Sequence, residues 1–435
     1  MMNPSKHAYR ASLLYFSDDP QFSEQACHWH EDGLLLVEQG RIMAVGEYTD
    51  LGGALPPDIV MHDYRGKIIT PGFIDTHVHY PQTDLIASPA EGLLPWLENY
   101  TFPMESAFGD KEKARETARF FLDELLRCGT TTAMVYCTVH SESVDAFFEE
   151  SDARNLRMIA GKVMMDCHCP DTVRDTAESS AHDSEQLIRR WHGHGRQMYA
   201  ITPRFAGTSS AAQLQLAGEV ARANPSVFVQ THVAENTQEV EWIRQLYPQA
   251  RSYLDVYDGF ELLRERAVFA HGIWMDDEDW RRIARSRSAI AHCPTSNLFL
   301  GSGLFDIRRA DAVKARVSLA TDVGGGTSFS MLQTMNEAHK VARLLGNHVP
   351  GLRLFYLATL GAARCLHLEG TIGSLAVGNE ADFIVLDPQC TPLLARRSAC
   401  CDSLEEQLFV LAMLGDDRAI EATYSSGDCV WSRRS

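Results

Sequence analysis

His77 and His79 stand one residue apart at the end of a short apolar run, Phe73–His79. At that spacing a strand turns two imidazoles to one face. Strict alternation places Asp75 beside them and sends Ile74, Thr76 and Val78 toward covering helices. Two neutral imidazoles converging on one point begin many transition-metal sites. The spacing alone decides little, because His28–His30 and His192–His194 repeat it, and both of those pairs read as solvated surface. Position separates the first pair from its copies. Val227–His232 ends in a histidine with Glu235 three residues on, Val268–His271 ends in another, and Val317–Asp322 ends in a carboxylate just before Gly324–Gly326. Any one of these histidines, taken alone, reads as a hydrogen-bonded core residue; taken together at strand ends, they read as a site. Three imidazoles and one carboxylate suit zinc or iron(II), and such an ion lowers the pKa of a water it holds toward ~7. Glu235, one turn beyond His232, is placed to carry protons, although a glutamate opening a helix is also favoured by the helix dipole alone.

The elements that must position these groups alternate. Eight β-rich runs are predicted: Phe73–His79, Thr130–Tyr136, Met158–Met165, Met198–Arg204, Val227–His232, Val268–His271, Ala289–His292 and Val317–Asp322. Amphipathic stretches such as Lys111–Arg127 and Asp183–Trp191 lie between them, which is the pattern of repeated βα units around a parallel sheet. Eight alternations predict an α/β fold built on a closed (β/α)8 barrel, whose active sites gather at the carboxyl ends of the strands. The two chain ends differ in style. Residues 34–46 read as a hairpin turning at Gln39–Gly40, Ala381–Asp387 as a buried strand, and Thr423–Trp431 as strand material broken by Gly427. The predicted organisation is residues 1–70 and 371–435 pairing into one small β-sandwich domain beside a barrel of 71–370.

Composition narrows the partners. With 45% hydrophobic and 23% charged residues the chain reads as an ordinary globular protein rather than a disordered one. A net charge of −18 argues against nucleic acid and anionic membranes. The first sixteen residues lack the basic-then-apolar pattern of an export signal, and no apolar run approaches the ~20 residues of a membrane span, so a cytoplasmic protein is expected. The eleven cysteines then read as reduced thiols. Cys400–Cys401 and Cys167-His168-Cys169 lack the CxxC spacing of structural zinc. The chain also has no PCxxC, which sets aside the nucleobase deaminases built on that motif.

Pro71–His79, Thr231-His232, Phe269–Gly272, His292–Asn297 and Ala320–Thr327 together resemble the amidohydrolase superfamily, along nearly the whole chain. Within it, His79–Gln82, Gly161–Asp166, Tyr199–Phe205 and Cys293–Leu298 are similar to the branch that deaminates guanine. That resemblance implies a zinc ion, one per subunit and replaceable by iron, on His77, His79, His232 and Asp322. It implies hydrolysis of guanine to xanthine and ammonia, with Glu235 shuttling protons, Asp322 as general base and His271 contacting the attacking oxygen. The same comparison puts His79, Gln82, Arg204, Phe205, His232, Glu235 and Asp322 around the substrate, with Arg204 donating to the guanine O6 and Phe205 packing on the purine face. A cytoplasmic homodimer is implied as well. Two-metal relatives carry a bridging lysine on the fourth strand; here that strand has none, and Lys162 on the third reads as structural. A related hydrolase of 8-oxoguanine, cytosine or a triazine is the alternative on the same site, and a non-catalytic barrel is a further one.

Overall fold

The computed structural model describes residues 6–55, 58–89 and 91–433. Among them, sixteen strands form two sheets. The chain ends supply β1 (His7–Phe16), β2 (Cys27–Glu38), β3 (Arg41–Glu47), β4 (Val60–Pro71), β14 (Phe383–Leu386), β15 (Ile420–Ser425) and β16 (Asp428–Ser432). These join in the order β16-β15-β14-β4-β1-β2-β3, mostly antiparallel, with β1 and β4 parallel. The β2–β3 hairpin turns at Gln39-Gly40 and the β15–β16 hairpin at Ser426-Gly427, where all four residues have positive φ, as tight hairpin turns require. The paired chain ends predicted from the sequence are thus present as one seven-stranded unit.

The middle of the chain supplies β5 (Phe73–His79), β6 (Thr130–Tyr136), β7 (Arg157–Gly161), β8 (Val163–Met164), β9 (Met198–Pro203), β10 (Phe228–Val233), β11 (Ala267–His271), β12 (Ala289–His292) and β13 (Arg316–Leu319). All pair in parallel. The ring closes where Asp322 N donates to His77 O at 3.0 Å and His79 N to Val323 O at 2.7 Å. The result is a (β/α)8 barrel, each strand lying within a few residues of its predicted span. Met158–Met165 is divided at Lys162 into β7 and β8, and Asp322 falls three residues beyond β13, in the exit turn.

Strand residues are apolar on both faces because both faces are covered. Phe228 shares a face with Gln230 and His232 and belongs to an inner cluster with Ile74, Met134, Ile159, Ala200 and Val268. Val229, Phe269, Ile290 and Leu319 point instead into the layer of surrounding helices. The helices start where capping predicts. Asp110 caps Lys111–Arg127, and Thr176 caps Ala177–Trp191, which begins six residues earlier than its apolar spacing indicated.

The alternation expected of Phe73–His79 does not hold. Ile74 packs in the inner cluster, and Thr76 Oγ1 lies 2.7 Å from Ser318 Oγ across the ring closure. The strand shifts register against β6 between Asp75 and Val78. His77 and His79 then share the interior with Ile74, while Asp75 turns aside to accept hydrogen bonds from Thr321 N and Oγ1.

Candidate active site

Every strand-end residue singled out in the sequence reaches one place, the carboxyl mouth of the barrel. His77 Nε2 and His79 Nε2 lie 3.1 and 3.3 Å from Asp322 Oδ1. The two imidazole nitrogens are 3.2 Å apart, and His232 Nε2 is 3.3 Å from that of His79. One ligand atom from each of His77, His79, His232 and Asp322 lies within 4.8 Å of the others. Cys293, noted in the sequence only as part of a motif, joins an overlapping group with His77, His271 and Asp322.

The donor set fits a divalent cation. His232 Nδ1 hydrogen-bonds the Arg204 carbonyl at 2.6 Å, which fixes the proton there and leaves Nε2 a bare lone pair facing its neighbours. Burial pushes His79 down to about 3 and His77 down as well, and His232 falls well below the usual range through loss of solvent and the adjacent His77 and His79. These imidazoles are neutral at physiological pH. Burial works to raise the Asp322 carboxyl, but His77 and His79 outweigh it and hold it well below the carboxylate norm. Three lone pairs and one anion crowd a single point, an arrangement relieved by a positive ion.

Backbone conformation aims these side chains. His271 and Asp322 both take positive φ, 71° and 51°, as does Ala234, at 49°, beside Glu235. Such values are uncommon outside glycine and cluster where a site dictates the conformation. After Asp322 the glycines make close passage possible. A Cβ on Gly324 would lie 2.4 Å from Gln82 O, and one on Gly326 would lie 1.8 Å from Thr321 O.

Glu235 is buried, and its carboxyl is pushed up to about 8 by burial and the nearby Asp322 charge. It is therefore protonated at neutral pH, as a proton donor must be. Its turn is held by Glu239, whose Oε2 accepts from the backbone N–H groups of Glu235 and Asn236 at 3.0 and 3.2 Å. His271 Nε2 lies 3.4 Å from Glu235 Oε2 and 3.7 Å from Asp322 Oδ2, and its Nδ1 is 2.8 Å from Asn297 Oδ1.

These groups line a cavity with Gln82, Arg204 and Phe205, walled by Leu93, Trp96, Leu97 and Leu300. An apolar wall with a few convergent polar groups is the character of a small-molecule site. The sequence missed its most informative polar residue. Glu105 is fully buried, accepts from Arg204 Nη1 at 2.6 Å through one oxygen and from Gln82 Nε2 at 2.9 Å through the other. Gln82 Oε1 accepts in turn from Gly324 N at 3.2 Å. The Gln82 amide is thereby fixed, with its second N–H left to face the cavity. Arg204 is no lone cation. Its charge is neutralised, and its remaining N–H groups are oriented donors for a neutral acceptor.

The chain belongs to the amidohydrolase family. Its residues 68–430 match the model of that family. It is 49% identical to the guanine deaminase of Escherichia coli (strain K12) over 96% of this chain and 95% of that one. The solved E. coli guanine deaminase superposes with a TM-score of 0.95 at 47% identity, covering 99% of this chain and 100% of the other. The guanine deaminase of C. acetobutylicum, solved with guanine bound in its active site, superposes at 0.87 and 27% identity over 98% and 100%. Members of the amidohydrolase family bind a divalent metal.

The remaining sequence candidates lie elsewhere. His30 pairs with Glu47 at 2.8 Å, and His28 stacks on Tyr15. His192 is structural rather than solvated, its Nδ1 accepting from Tyr199 N at 3.1 Å, while His194 is exposed. Lys162 is buried against Asp175. All eleven cysteines are free. Among the described residues no helix is long and apolar enough to cross a membrane.

Proposed function

We propose that this chain is a guanine deaminase that hydrolyses guanine at C2 to xanthine and ammonia, with one zinc ion on His77, His79, His232 and Asp322. The observation that carries the reading is a single cavity in which the ligand cluster, a protonated Glu235 and a charge-neutralised Arg204 stand together. The near full-length similarity to guanine deaminases supports it, as does guanine in the active site of a structural relative.

A divalent ion held by His77, His79, His232 and Asp322 would lower the pKa of a water toward neutrality; the chain's own groups do the rest. Asp322 accepts the proton that the attacking water gives up. Glu235 gives its proton to the ring nitrogen beside C2, so that negative charge does not build on the ring as the C–O bond forms. Glu235, now a carboxylate, takes the hydroxyl proton from the tetrahedral carbon and hands it to the amine; the C2–N bond breaks, ammonia leaves as C2=O forms, and the proton held by Asp322 restores Glu235. His271 sits beside both carboxylates and steadies the attacking oxygen.

Arg204 and Gln82 select the base. With Glu105 holding one N–H of each, what remains is a fixed row of donors suited to a carbonyl acceptor such as guanine O6. Adenine presents an amino group at that position and leaves a buried donor unpaired, at a cost of about 1–3 kcal/mol. Phe205, braced edge-on by Trp242 with centroids 5.8 Å apart, packs on the purine face. We place the enzyme in the cytoplasm as a homodimer.

Guanine loss followed by ultraviolet absorbance tests the reading. Turnover by the purified protein is expected to stop with a chelator and return with zinc. Glu235→Gln is expected to keep its metal and lose ~10²–10⁴-fold in kcat. Protein that leaves guanine untouched while releasing ammonia from another aminated heterocycle refutes the substrate assignment.

A further inference from the structure

Glu235 has a partner that the reaction above does not use. Ser302 Oγ donates to Glu235 Oε1 at 2.7 Å, and both side chains are buried. The other carboxyl oxygen, Oε2, is the one that faces His271. Ser302 sits between Gly301 and Gly303, whose φ values of 67° and 139° suit glycine, in a turn after the Pro294–Phe299 helix. Main-chain bonds already hold that turn. Ser302 N donates to Asn297 O at 2.8 Å, and Ser302 O accepts from Trp274 Nε1 at 2.9 Å. Trp274 N in turn donates to Ala234 O at 2.9 Å, one residue before Glu235. The Ser302 hydroxyl is therefore spare to the fold of its own turn and is spent on the glutamate.

Building on the proposed function, we infer that Ser302 is a positioning residue for proton transfer. By donating to Oε1, the hydroxyl makes that oxygen an acceptor and puts the proton of the neutral carboxyl on Oε2, the oxygen that faces the reaction. When Oε2 gives its proton to the ring nitrogen, the carboxylate left behind keeps its bond to Ser302. It then stays in place to carry the hydroxyl proton of the tetrahedral carbon to the departing amine. The serine touches neither substrate nor ion and acts only through Glu235.

The zinc-loaded enzyme tests this by a double-mutant cycle on guanine, with metal content and melting temperature measured for each variant. Ser302→Ala is expected to lower kcat by ~10–100-fold with KM within ~2-fold, as loss of an outer-shell partner does, while staying folded and fully metallated. In a Glu235→Gln background, the same Ser302→Ala change is expected to cost less than ~2-fold further, because the group it positions is already gone. The inference is overturned if Ser302→Ala keeps kcat within ~2-fold, if it loses metal or fold along with activity, or if the two losses multiply. A wild type inactive on guanine refutes the proposed function itself; an active wild type with any of these outcomes refutes only the role of Ser302.

Discussion

At the scale of single residues, the cavity is governed by a carboxylate that no motif announces. Glu105 is one of 58 acidic residues in the chain and follows Phe102-Pro103-Met104, a stretch with no chemical pattern. Its meaning arises only when the fold brings it against Gln82 and Arg204, residues 23 and 99 positions away. Removing the carboxylate charge leaves Arg204 a buried cation without its partner and weakens the hold on the Gln82 amide, which keeps its bond from Gly324 N. Breaking one side of such a pair is costly because the other charge stays buried. Glu105→Gln is expected to raise KM for guanine by ~10-fold or more, the size of one lost buried hydrogen bond to a charged group, with a smaller change in kcat, because Glu105 contacts none of the proposed metal ligands. Steady-state kinetics on guanine checks the split. An unchanged KM would mean that Glu105 does not orient the specificity donors.

At the scale of elements, the exit of each strand matters more than its span. The eight barrel strands were legible because apolar residues on both faces write a continuous signal, and the strand-end histidines and Asp322 were legible because they interrupt it. What the sequence could not carry was the register shift in β5, which depends on how β6 pairs beside it, and the left-handed turns at His271 and Asp322, since neither residue type advertises positive φ. The helices Pro392–Ser398 and Leu404–Leu414 were hidden as well, within a segment that the flanking strands made look all-β. The turn Asp322–Gly326 shows how an element constrains a proposed ligand. Gly326 cannot accept a side chain without pushing Thr321 aside, and Thr321 is bonded to Asp75, so the strain passes directly to Asp322. Gly326→Ala is expected to release metal and lower the melting temperature together, by several degrees, since strain of ~1–3 kcal/mol in a packed region is felt in full. Metal analysis and calorimetry on the purified variant check this. Full metal content with an unchanged melting temperature would show that the turn has slack.

At the scale of the whole molecule, the barrel and the β unit are joined by a buried charge network at the side away from the cavity. Arg157 begins β7 and Arg196 precedes β9, while Glu380 and Asp382 lead into β14. Glu380 accepts from Arg157 Nε at 2.8 Å and from Arg196 Nη2 at 2.6 Å, and Arg196 also reaches Asp382 and, at 2.8 Å, Ser425 Oγ in β15. Burial works to raise the Glu380 carboxyl, but the Arg157 hydrogen bond and the Arg196 charge outweigh it, and its pKa lies below the ordinary 4.5. The sign of the pH effect follows. A carboxyl depressed in the folded state contributes stability that is fully present above its unfolded value and is lost as pH falls through the folded one. The wild type is therefore expected to lose this contribution as pH drops below about 4.5. Glu380→Gln removes the carboxylate from the half-buried Arg157 and from the buried Arg196, which keeps Asp382, and is expected to destabilise by ~1–3 kcal/mol near neutral pH, the size of a lost hydrogen bond to a charged group. That variant has no carboxyl at this position to titrate, so its disadvantage shrinks on acidification. Calorimetric melting curves of both proteins across a pH series check the prediction. Convergence at low pH is the expected result, and a constant gap from neutral to acid pH would show that Glu380 does not carry the junction's charge dependence.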